Sequence, residues 1–127
     1  MDVLEINVLV LAYLGDTIYE NYIRRYLIGK KISNVNDLQV KATEFVSARS
    51  PASFVKKLLG EKFFTDEEIA VIMRARNNKN KNHPKSCDIV TYKYATGLEA
   101  LIGYLDLVGN RNRVEQIMEK IVGEKLC

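Results

Sequence analysis

Residues Tyr92 to Leu105 read YKYATGLEALIGYL. Tyr92, Ala95, Leu98, Leu101, Ile102 and Leu105 recur there at three- and four-residue steps, which is the period of a helix and not of a strand. The spacing predicts a long helix from about Asp88, ended by Gly109-Asn110. One residue in this apolar run is out of character: the carboxylate of Glu99.

Toward the N-terminus the same pattern recurs. A first helix is expected from about Ile6 to Ile28, with Leu9, Val10, Tyr13, Leu14, Ile18, Tyr22 and Tyr26 at helical steps. Its apolar residues cover most of the circumference, so a central, largely buried helix is expected, with Gly29 and Lys30-Lys31 as its stop. It too carries a misplaced acid, Asp16, in mid-helix rather than at a cap, where Asp is favoured. Between the two lie three shorter helices. One is capped by Asn36-Asp37 and runs to about Ala48, and one opens with Ser50-Pro51 and stops at Gly60. One starts from the capping box Thr65-Asp66-Glu67-Glu68 and runs to about Arg76. A last helix spans about Arg111 to Val122. No segment alternates at period two for long, so the fold class is all-α.

The chain has 127 residues, 47% of them apolar and 28% charged, a composition ordinary for one globular domain over residues 1–127. Nineteen basic against 16 acidic residues leave a net charge of +3, too mild to name a partner by itself. Cys87 and Cys127 have no metal-site or disulfide spacing and read as free thiols of a reducing cytoplasm. The N-terminus, with Asp2 and Glu5, is no secretory leader. The apolar run from Ile6 to Leu14 is too short to cross a bilayer.

An acid embedded in apolar sequence needs a partner, a metal or a raised pKa. If the two long helices cross at Asp16 and Glu99, the carboxylates converge into a hard oxygen site of the kind Mg²⁺ takes. Gly15, Gly97 and Gly103 would allow the close approach. Metal-assisted hydrolysis of a phosphodiester would follow. The bland alternative for each acid is a solvated or Arg-paired carboxylate. From Arg74 to Lys85 there are five cations (Arg74, Arg76, Lys79, Lys81 and Lys85), no acid, and four interleaved Asn. Such a loop suits phosphate contacts that read no bases, or is simply a solvated surface. Lys93 and Arg49 are weaker candidates for the same contacts. His83, the one histidine, reads as part of the loop. Walker loops, dinucleotide fingerprints and RNA-recognition-motif aromatics are absent.

Leu11 to Glu20 (LAYLGDTIYE) resembles the first signature of the ribonuclease III nuclease domain, in its Mini branch, and Tyr92 to Leu105 resembles the second. VSARSPA (Val46 to Ala52), FFTDEE (Phe63 to Glu68) and RARN (Arg74 to Asn77) are similar to the Mini family and stand in the same order. The resemblance implies an all-helical homodimer that cleaves double-stranded RNA with Mg²⁺ and leaves 5′-phosphate ends. It implies a role in maturing large-subunit ribosomal RNA and no downstream double-stranded-RNA-binding domain. A ribosomal protein is a further candidate partner. Asp16 and Glu99 match the family's catalytic aspartate and glutamate. Two further acids of full-length ribonuclease III are replaced here by Ala12 and Thr96, as in the Mini branch. Thr96 through its hydroxyl, and Glu20 one turn beyond Asp16, are candidate outer partners of the metal site. The rival expectations are a catalytically inactive RNA-binding or ribosome-assembly module on the same fold, and a helical protein-interaction module.

Overall fold

The computed structural model describes residues 2–79, 82, 83, 85 and 87–123. A short 3-10 turn at Val3–Glu5 precedes six α-helices: α1 (Val8–Gly29), α2 (Val35–Val46), α3 (Arg49–Gly60), α4 (Asp66–Arg76), α5 (Ile89–Leu107) and α6 (Arg111–Val122). Among the described residues there is no strand, so the all-α expectation holds.

Local chemistry sets the helix ends. Asn7 caps α1, accepting from the Leu9 amide at 2.8 Å, so the helix starts two residues later than the apolar run suggests. Asn34, not Asn36, caps α2. At α4 the capping box is complete: Thr65 accepts from the Glu68 amide at 3.1 Å, and Glu68 accepts from the Thr65 amide at 2.9 Å. Helix α3 begins at Arg49 with no side-chain cap, and Ser50 instead donates to the Glu44 carbonyl at 2.5 Å. Pro51 still falls in its first turn, where no amide donor is needed. Gly29 and Gly60 are the last residues of their helices, and the left-handed backbone falls on Lys31 (φ 62°) and Lys62 (φ 58°).

The central helix is α5, not α1. From Ala95 to Leu105 every residue of α5 is buried except Glu99, and α1, α3, α4 and α6 all pack against it. Helix α1 lies along α5 in the most extensive helix pairing, burying Leu11, Ala12, Gly15, Tyr19, Ile23 and Leu27. Each apolar side chain of Leu or Ile size sealed there contributes about 1.5–3 kcal/mol. The opposite face of α1 is bare: Val10 is 57% exposed and Tyr13 83%. Both were expected to face inward, and the stripe of α1 that packs is narrower than its composition suggests. Away from α1, a buried ion pair ties α6 to α4. Arg113 meets both carboxylate oxygens of Glu68, at 2.7 and 2.8 Å, and also donates to the Phe63 carbonyl at 2.9 Å.

Candidate active site

Helices α1 and α5 meet at one point with no side chain between them. A Cβ built on Gly15 would lie 1.6 Å from the Glu99 carbonyl oxygen, and one on Gly103 would lie 2.0 Å from the Leu11 carbonyl oxygen. Any side chain at either position would force the helices apart. Asp16 follows Gly15 and Glu99 forms the other half of the contact. The crossing thereby sets the two carboxyl groups within hydrogen-bonding reach of each other.

Their surroundings differ. Asp16, expected as a buried carboxylate, reaches solvent, while Glu99 is half-buried beside it. Burial, then the hydrogen bond with Asp16 and its charge, then the charge of Glu20, push the Glu99 carboxyl up from 4.5 to about 9. Without a bound cation, this environment favours the protonated form of Glu99 at neutral pH. Tyr19 lies on α1 three residues beyond Asp16. Tyr19 is fully buried and its hydroxyl donates to the Phe45 carbonyl at 2.5 Å. Its pKa is raised by burial and by the nearby charge of Glu99.

The remaining sequence candidates divide. Glu20 lies one turn beyond Asp16, half-buried, and accepts from Arg24 at 3.4 Å. Sequence reasoning passed over Arg24, although its four-residue spacing from Glu20 is the signal that would have found it. Thr96 is buried and its hydroxyl donates to the Tyr92 carbonyl of its own helix at 2.9 Å. That leaves its proton unavailable to a water near the carboxylates. Ala12 is buried in the α1–α5 seam.

Two carboxylates, one of them, Glu99, strongly disfavoured as an anion, suit a divalent cation, which would replace the proton on Glu99. Among the described residues no group of three or more His, Cys, Asp or Glu is arranged to hold a metal. Two carboxylates nonetheless match Mg²⁺, which keeps several waters and takes its other ligands from substrate phosphates.

The cations between α4 and α5 do not act alike. Arg74 differs from the others: its guanidinium is half-buried and donates to the Ile6 carbonyl at 3.0 Å, tying α4 to the segment before α1. Its other terminal nitrogen is buried with no hydrogen-bond partner among the described residues. Arg76, Lys79 and Lys85 are exposed, and Lys81 lies outside the described residues. Lys93 is half-buried and donates to the Asn78 carbonyl at 2.5 Å, pinning the start of the loop to α5. Arg49 is exposed at the head of α3. His83 rests with Nδ1 2.9 Å from the Cys87 carbonyl oxygen.

Comparison with known proteins gives this geometry a context. A family model described as the ribonuclease III domain matches residues 9–110. The chain is 41% identical over 126 residues to the Mini-ribonuclease 3 of Enterococcus faecalis (strain ATCC 700802 / V583), covering 97% of this chain and 96% of that one. It is 42% identical over 124 residues to the Mini-ribonuclease 3 of Desulfitobacterium hafniense (strain Y51), covering 95% of this chain and 77% of that one. Among solved structures, protein FN1578 from Fusobacterium nucleatum superposes with a TM-score of 0.84 at 31% identity, covering 94% of this chain and 95% of that one.

Proposed function

As this chain belongs to the Mini-ribonuclease 3 family of ribonuclease III domain proteins, and is an endoribonuclease of that kind, we propose that it cleaves double-stranded RNA at Asp16 and Glu99 with Mg²⁺. The observation that carries this reading is the placement of the two carboxyl groups on each other by the Gly15–Glu99 contact. Asp16 and Glu99 would hold the ion, which when bound supplies a Lewis acid for water activation and for the charge on phosphate oxygens.

The chain's own residues do the rest. Glu99, half-buried on α5, keeps a fixed orientation, and solvent-facing Asp16 meets the incoming phosphate. Glu20, paired with Arg24 at the surface, adds negative charge one turn from the site. Arg76, Lys79 and Lys85, with Lys81, grip phosphates beside the cut. Residues 1–127 act as a single nuclease domain. The protein works as a homodimer, one site per strand, which matches the dyad of a duplex. The bare Val10–Tyr13 face of α1 supports a second copy. The target we assign is a cytoplasmic large-subunit ribosomal RNA precursor, with a ribosomal protein as a candidate helper, and it follows from the resemblance to the Mini branch.

The deciding experiment is cleavage of a labelled RNA duplex with and without Mg²⁺, wild type against Asp16→Asn. Cleavage that requires Mg²⁺ and is lost in the variant, with binding retained, is the expected result. If neither protein cuts while both bind, the chain is an inactive RNA-binding module.

A further inference from the structure

Side chains from three helices meet at the base of the loop: Lys56 of α3, Arg76 of α4 and Tyr94 of α5. The Lys56 Nζ stands 5.2 Å from the centre of the Tyr94 ring, and the Arg76 Cζ stands 6.0 Å from it. The ring is half-buried and both cations are exposed. Lys56 also faces Asp88 at the head of α5, whose carboxyl is held low by hydrogen bonds from Thr91 and, further down, by the charge of Lys56. Two free cations would repel each other, and the negative face of the ring draws both to one place. Asp88 apart, the stretches of chain that flank them are basic. Helix α3 carries Arg49, Lys56 and Lys57 and no acid, and the segment from Arg74 to Lys85 carries no acid either.

We propose that Lys56 and Arg76, gathered on Tyr94, form a second grip on the phosphate backbone of duplex RNA, carrying the contact from the loop onto α3. This rests on the reading of the chain as a protein that acts on duplex RNA. Two cations held at fixed positions with their heads in water neutralise phosphates without reading sequence. Tyr94 lies five residues before Glu99 on α5, about 7.5 Å of helix rise. The grip acts on the phosphate backbone beside the candidate carboxylates and governs affinity.

The test is binding of a labelled RNA duplex in chelator, across a salt series, with wild type, Lys56→Gln, Tyr94→Leu, Tyr94→Phe and the control Lys41→Gln. Lys41 is exposed on α2 and pairs only loosely with Glu44, at 3.8 Å. Lys56→Gln is expected to weaken binding at every salt concentration and to reduce the log–log salt slope by about 0.9, the B-DNA value for one phosphate. Its cleavage rate at sub-saturating RNA should fall in step with its affinity. Tyr94→Leu should weaken binding likewise, and Tyr94→Phe, which keeps the ring, should not. If Lys56→Gln keeps the wild-type affinity and slope, or Lys41→Gln loses as much, the grip is overturned while the nuclease reading stands. A wild type that binds no duplex overturns both.

Discussion

Gly15 and Glu99 are in backbone contact, and the side chains that flank that contact are the two candidate catalytic carboxylates. A methyl group at Gly15 has nowhere to go, because the atom it meets is a backbone oxygen and not the end of a flexible side chain. Gly15→Ala should therefore push α1 off α5, lowering stability by about 1–3 kcal/mol or more and abolishing cleavage together with it. Gly60→Ala is the contrast, since its new Cβ meets nothing within 4 Å, and alanine there should be neutral or stabilising by up to about 1 kcal/mol. Thermal unfolding and duplex cleavage of both variants check this. A Gly15→Ala protein with native melting temperature and activity would show that the close crossing does not set the site.

The raised pKa of Glu99 has a direction in pH. Its folded value of about 9 lies above its ordinary 4.5, so the folded protein binds a proton that the unfolded chain releases between those limits. Stability without metal should fall as pH rises from about 4.5 to about 9. Glu99→Gln should flatten that slope and raise the melting temperature at pH 8. Mg²⁺ should raise the melting temperature of wild type at pH 8, and that of Glu99→Gln far less. An equally steep pH slope in both proteins would contradict the assignment.

The Glu68–Arg113 pair makes a separate stability prediction. Burial alone would raise the Glu68 pKa, but the hydrogen bonds from Arg113 and Thr65 outweigh it and hold it below its ordinary value. Arg113→Met strands a carboxylate that is 4% exposed, so the cost should be about 3–5 kcal/mol, read by urea unfolding. The pair's stabilisation is present at neutral pH and lost on acidification, because the depressed pKa is the folded one. Replacing Glu68 and Arg113 together with apolar residues should recover most of the loss.

Tyr13, 83% exposed on α1 three residues before Asp16, reports on assembly. Tyr13→Glu should turn a dimer into a monomer by sedimentation while leaving the helical circular-dichroism spectrum unchanged. Wild-type protein that sediments as a monomer at all concentrations would remove the homodimer from the proposal.

What the sequence determined by itself is whatever depends on neighbours within a turn or two. The helical period of Tyr92 to Leu105, the Thr65–Glu68 capping box and the oddity of Asp16 and Glu99 in apolar helices are local facts, and local hydrogen bonds and side-chain spacing enforce them. The tertiary structure decided everything that needs two helices at a known crossing. It brought Asp16 to Glu99 through two glycines, and it made α5 rather than α1 the central helix. It left Val10 and Tyr13 bare, set Arg74 on the Ile6 carbonyl, and gathered Lys56 and Arg76 on Tyr94. None of these is legible in periodicity, because a helix shows in its sequence which residues share a face but not which neighbour that face will meet, or whether it meets one at all.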